Sequence, residues 1–204
     1  MSALNLVRGA FVEDAYKIAR LHQEELKNGF LANTGVRFLT LLYHSLIKNE
    51  HVLVYEEASE IKGFVSFSEN SRGMMFRFIK TSPKAIIFLI LNVLASPSMV
   101  IKLIETFNTP FKTIKTDKLI LPDAELLSIA VQQNCKSSGL GSLLVKELES
   151  YLQVKNIFQY KVIAGYELQG ANQFYLKNGF EMVAQVRIHG NAVSNVYTKK
   201  LPCN

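Results

Sequence analysis

Seven consecutive residues, Lys136-Ser-Ser-Gly-Leu-Gly-Ser142, have the composition and spacing to hold a phosphate. They follow Leu126–Val131, an apolar run rich in Ile and Val that reads as a buried strand. They lead into Leu143-Leu-Val-Lys-Glu-Leu-Glu149, whose helical period reads as an amphipathic helix. A turn lined by Gly139 and Gly141 at a helix entrance leaves several backbone N–H groups unpaired and aimed the same way. The helix dipole adds to their attraction for an anion. No third glycine follows at dinucleotide-fold spacing, and no Lys-Ser/Thr pair follows at P-loop spacing. What stands is Lys136-x-x-Gly139-x-Gly141, and a Gly/Ser-rich turn with no ligand is the other reading of it.

A second constellation lies further on, in Gly170-Ala-Asn-Gln-Phe-Tyr-Leu-Lys-Asn-Gly-Phe180. Gly179 suits a left-handed helix stop, and Phe180 can then pack back on a sheet. Asn172 and Tyr175 are three residues apart, so they share one helix face. Taken alone, the Phe174-Tyr175 pair reads equally as the core side of an amphipathic helix.

Together the two stretches resemble the GCN5-related N-acetyltransferase (GNAT) superfamily. The first resembles its Arg/Gln-x-x-Gly-x-Gly/Ala diphosphate loop, with Lys136 where the family prefers Arg or Gln. The second resembles its closing motif, and the strand-like Tyr160–Ala164 separates the two in the family's order. The resemblance implies acetyl-CoA as co-substrate, no metal, and transfer of an acetyl group to a primary amine. Such transfer needs a held cofactor, a deprotonated amine, a stabilised carbonyl oxygen and a protonated thiolate. It implies a diphosphate cradle from Lys136, Ser137, Ser138, Gly139, Leu140, Gly141 and Ser142. The pantetheine arm would run beside Ser128, Ile129, Ala130 and Val131, with an amide near Ile129–Val131 polarising the acetyl carbonyl. Tyr175 takes the position of the tyrosine that protonates the departing thiolate, and Asn172 that of a cofactor contact, although the family more often carries its Asn where Leu168 stands. Glu125, six residues before Val131, takes the position of a catalytic Glu in the histone-acetylating branch. A carboxylate at a strand edge is a sensible base, with a solvent-facing Glu or a water chain as the alternatives. Asp123, beside Pro122, is a weaker candidate.

The elements that must position these groups follow from hydrophobic period and turn residues. Strands are expected at 5–8, 51–55, 63–67, 124–131, 160–164, 182–189 and 193–200. Helices are expected at 13–26, 36–47, 141–154 and 171–178. A polar Ala-Ser-Glu joins the second and third strands, and His189-Gly-Asn joins the last two. This order matches the α/β (α+β) GNAT fold, a mixed twisted sheet of about seven strands with helices on both faces. A single domain over residues 1–204 is expected, with a helical insertion at about 81–118. Within it, Ala85–Leu91 is unbroken apolar sequence, and Pro97 separates two expected helices, the second from Met99 to Phe107. Neither half has the roughly twenty apolar residues a membrane span needs. The insertion can pack on the domain, on a second copy in a homodimer, or on a membrane surface.

Hydrophobic content of 49% against 20% charged residues excludes a disordered chain. Cys135 and Cys203 are too few for a disulfide framework and lack metal-ligand spacing, and the amino terminus lacks a signal pattern, so the cytoplasm is expected. A net charge of +6 comes from dispersed lysines, which argues against nucleic acid and suits phosphorylated ligands. Phe30–Tyr43, Gly170–Tyr175 and the turn Ile188-His-Gly-Asn191 resemble bacterial GNAT proteins of surface-polysaccharide synthesis. That implies an amino sugar or sugar nucleotide as acceptor, with Asn33, Arg37 and His189 as polar contacts. Two rivals stay open: acetylation of a protein amino terminus or lysine, and a non-catalytic acyl-CoA-binding module.

Overall fold

The computed structural model describes residues 7–27, 29–82, 112–113, 120–188 and 192–202. The elements run β1 (Val7–Gly9), α1 (Ala15–Glu25), α2 (Val36–Asn49), β2 (His51–Glu57), β3 (Glu60–Ser68), α3 (Met74–Thr81), β4 (Lys112–Thr113), β5 (Glu125–Val131), α4 (Leu140–Val154), β6 (Gln159–Gly165), α5 (Gln169–Lys177), β7 (Glu181–Ile188) and β8 (Ala192–Lys200). They fall into two units. One takes residues up to 68 together with 127–156, and the other takes 69–126 together with the chain from 157.

In the first unit β1 pairs antiparallel with β2, and β2 with β3. The β2–β3 turn puts Ala58 and Ser59 at φ of 49° and 64°, the left-handed pair that matches strand twist. The ladder order is β1-β2-β3-β5, with residues 127–131 of β5 belonging here. β3 is buried without interruption from Gly63 to Ser68, as befits a strand covered on both faces. Phe64 meets His22 and Tyr43, so α1 and α2 cover one face. Its neighbour Gly63 points the other way and meets α4, where an added Cβ would lie 3.1 Å from Leu144 Cδ1 and 3.2 Å from the Ala130 carbonyl. The missing side chain is what lets α4 approach. Leu144, Leu148 and Leu152 recur on one helix face and are fully buried, each contributing roughly 2 kcal/mol.

In the second unit the order is β5-β6-β8-β7-β4. The start of β5 pairs parallel with β6 through Glu125↔Lys161 and Leu126↔Val162, and that ladder ends there. β6 pairs antiparallel with β8 along its whole length, from Gln159↔Lys200 to Gly165↔Ser194. β7 and β8 form a hairpin ladder, and β4 adds Lys112↔Arg187 at its edge. Ala184, Val186 and Val196 form a core with Leu121, Ile163 and Val183 packed on it.

Every strand and helix expected over the described residues is present, with ends within about three residues. The chain is thus a mixed α/β sheet protein. Two elements were not expected, α3 and β4. In α3, Met74 and Phe78 are buried one turn apart behind a left-handed Gly73. Residues 5–6, the two insertion helices and the His189-Gly-Asn turn lie outside the described residues.

A polar pair is buried between α1 and α2 of the first unit, where the Tyr43 hydroxyl and His22 Nδ1 share a hydrogen bond of 2.6 Å. His22 is 3% exposed, and burial lowers its pKa from 6.5 to about 4. Between those values the unfolded chain binds a proton that the folded chain refuses. Stability is therefore full above pH 6.5 and falls as pH drops, with about 3 kcal/mol lost below pH 4. Urea unfolding at pH 7 and pH 4.5 should show this loss, and His22→Asn should remove most of the difference.

Candidate functional site

β5 delivers the chain to the glycine turn. The Gln132 N–H makes the last rung to the Lys62 carbonyl at 2.8 Å, and a short 3-10 turn follows over Gln133–Cys135. Ser137 is left-handed at φ 65° and Gly139 at φ 87°, which swings the main chain into α4. The Ser138 hydroxyl donates to the Cys135 carbonyl at 2.7 Å and accepts weakly from the Leu140 N–H at 3.4 Å. The Lys136 N–H is engaged by the Gln133 carbonyl. That leaves the amides of Ser137, Ser138, Gly139, Gly141 and Ser142 without a protein acceptor among the described residues. Leu140 buries its side chain beneath the turn, so only its main chain faces outward. The Oε1 atom of Gln132 is buried and accepts no hydrogen bond among the described residues. An orphaned acceptor beside a cluster of donors fits a ligand carrying both phosphate and amide N–H groups, as coenzyme A does.

The lysine of the motif does not stand free. Lys136 Nζ lies 2.7 Å from Glu25 Oε2 and 2.6 Å from Gln133 Oε1, while the Gln133 N–H donates to Glu25 Oε1 at 2.8 Å. Glu25 ends α1, far away in sequence, and nothing local singles it out among the acidic residues of that helix. The Ser128 carbonyl accepts from Ser66 Oγ at 3.4 Å within the first unit. Ile129 and Val131 are half-buried and Ala130 is buried.

In the second unit Glu125 lies 3.2 Å from the ammonium of Lys161, with side chains 16% and 5% exposed respectively. Lys161 also donates to the Pro122 carbonyl at 2.6 Å, to Ser71 Oγ at 3.2 Å and to the Asp123 carbonyl at 3.4 Å. A buried lysine with that many acceptors is a staple holding the start of β5 to its lead-in. Its signal in the sequence is a charge inside an apolar strand run, Tyr160-Lys-Val-Ile-Ala164. Glu125 Oε1 has no partner among the described residues. Asp123 is taken by Arg72 at 2.7 Å.

α5 ends as its glycine requires. Gly179 sits at φ 79°, Phe180 N–H bonds the Tyr175 carbonyl and Gly179 N–H the Leu176 carbonyl, a Schellman stop. Tyr175 is 6% exposed among Phe174, Phe180 and Tyr197, with ring centroids 5.4, 5.4 and 5.8 Å away. Burial, with a smaller contribution from Tyr197, pushes its phenol well above the ordinary range. Its hydroxyl has no hydrogen-bond partner among the described residues. Asn172, expected to contact cofactor, is engaged at both ends by the protein. Its Nδ2 donates to the carbonyls of Gly165, Tyr166 and Leu168, and its Oδ1 accepts from Tyr197 Oη at 2.8 Å and Asn195 Nδ2 at 3.1 Å. Gln185 extends the chain to Asn195. Tyr197 and Asn195 could not be found in sequence, because β8 meets α5 only through the fold.

No family model matches the chain, and no curated protein matches it in sequence. Solved structures do match in shape. An acetyltransferase of the GNAT family from Streptococcus pneumoniae aligns at TM-score 0.53 and 15% identity, covering 96% of this chain and 98% of that one. The paiA N-acetyltransferase of Thermoplasma acidophilum, in complex with coenzyme A, aligns at 0.53 and 14%, covering 95% and 97%. A ribosomal-protein-alanine N-acetyltransferase of Brucella melitensis aligns at 0.54 and 14%, covering 96% and 99%. The fold of this chain is that of the GNAT acetyltransferases.

Removing the staple isolates its structural worth. Lys161→Met should lower the unfolding free energy by roughly 3 kcal/mol, since it strands Glu125 and the carbonyls of Pro122 and Asp123. Urea titration with Glu125→Gln alongside, expected to cost less, checks this.

Proposed function

We propose that the protein is an N-acetyltransferase that moves an acetyl group from acetyl-CoA to a primary amine. One observation carries this reading: five amide N–H groups at a glycine turn into α4, none with an acceptor among the described residues. Acetyl-CoA would supply the activated acyl group as a thioester. The amides of Ser137, Ser138, Gly139, Gly141 and Ser142 would hold its diphosphate. The main chain of Ser128 to Val131 would bind the pantetheine arm as an added strand, with Gln132 Oε1 accepting from one of its amides. An N–H near Ile129–Val131 would steady the carbonyl oxygen as negative charge develops there. Glu125 would take the proton of the attacking amine on its unengaged oxygen. Tyr175, which burial keeps in its neutral form across the physiological range, would keep its proton available for the leaving thiolate. Asn172 would hold α5, which carries Tyr175, in shape.

For the acceptor we propose an amino sugar or sugar nucleotide in the cytoplasm. The likeness of Phe30–Tyr43 and Gly170–Tyr175 to polysaccharide-associated proteins supports it, as does the net charge of +6. Protein amino-terminal acetylation is the second reading, favoured by the likeness to a ribosomal-protein-alanine acetyltransferase. Peripheral contact with an anionic membrane is supported by residues 70–104, which hold Arg72, Arg77, Lys80, Lys84 and Lys102 and no Asp or Glu. At the start of that stretch Phe76 is 72% exposed.

Tyr175→Phe should lower release of free coenzyme A thiol by about a hundredfold while leaving calorimetric binding of coenzyme A unchanged. The assay follows thiol release from acetyl-CoA over a panel of glucosamine, amino-sugar nucleotides and short peptides. Tight binding with no turnover on any amine would turn the protein into an acyl-CoA-binding module.

A further inference from the structure

We infer that Glu25 is the positioning residue of the phosphate loop, acting through the Gln133 amide, and that Lys136 is its counter-ion. The inference rests on the acetyl-CoA reading above. A cradle of main-chain donors binds an anion well only if the amides converge before the anion arrives, since ordering them afterwards costs affinity. The second half of the loop, Ser137 to Ser142, contains the unspent amides and little that holds them. The first half is where the holding happens. Glu25 is 10% exposed, and both its oxygens are occupied: Oε1 by the Gln133 N–H at 2.8 Å, Oε2 by Lys136 Nζ at 2.7 Å. Lys136 closes the ring by donating to Gln133 Oε1 at 2.6 Å. Three side chains and one backbone amide thus lock residues 133–136 to the end of α1.

Charge explains why the lysine is there. A bare carboxylate beneath an anion site would repel a diphosphate, and the paired ammonium cancels that field at close range. The motif lysine therefore serves the loop by neutralising its anchor. The diphosphate is left to the neutral amides and the helix dipole.

The test compares Glu25→Ala, Glu25→Gln and the double variant Glu25→Gln/Lys136→Met, using calorimetry with coenzyme A and hydrogen exchange at the Gln133 amide. Glu25→Ala should weaken coenzyme A by about tenfold or more and expose the Gln133 amide to fast exchange. Glu25→Gln keeps an oxygen for that amide and should stay within about threefold of wild type. The double variant should match Glu25→Gln. Equal losses in the double variant and in Glu25→Ala would make Lys136 a phosphate ligand and overturn the inference. Wild-type affinity in Glu25→Ala with unchanged Gln133 exchange would overturn it too. If wild type took up no coenzyme A, the acetyl-CoA reading would fall, and Gln133 exchange would still decide whether Glu25 shapes the loop.

Discussion

A helix entered through a tight turn begins with N–H groups that none of its own carbonyls can reach. In this protein that shortage organises the first unit. Gly139 and Ser137 take left-handed backbone conformations to bring the chain round. Ser138 ties the turn to Cys135, and Glu25 ties its beginning to α1. β3 and α4 can meet so closely because Gly63 has no side chain to keep Leu144 away. Amides with no protein acceptor among the described residues are the result of this geometry.

The second unit is organised by a different constraint, that buried polar groups must find partners. Lys161 finds Glu125, Ser71 and two carbonyls. Asn172 finds the β6–α5 turn on one side and β8 on the other. Among the described residues the second oxygen of Glu125 and the hydroxyl of Tyr175 have no hydrogen-bond partner. Gln132 Oε1, at the start of the glycine turn, is the buried side-chain atom among the described residues of the first unit that breaks the rule.

Much of this was legible from residue order. The apolar period of Leu144 and Leu148 and the stop at Gly179 each lie within a few residues of their cause. The glycine turn was legible for the same reason, since strand, turn and helix are consecutive. α3 went unread because its eight residues precede a long apolar run that masks where a helix begins.

What residue order determined by itself is most of the elements, their sequence along the chain, and the glycine turn between β5 and α4. What only tertiary structure decided is the partner of each polar side chain. Lys136 reads as a phosphate contact, and only the fold pairs it with Glu25, which stands 108 residues from Gln133 and engages both. Asn172 reads as a cofactor contact, and only the fold brings Asn195 and Tyr197 to it from β8. Periodicity is a property of neighbours along the chain, whereas a hydrogen bond needs atoms within about 3 Å in space. Only folding brings such atoms together.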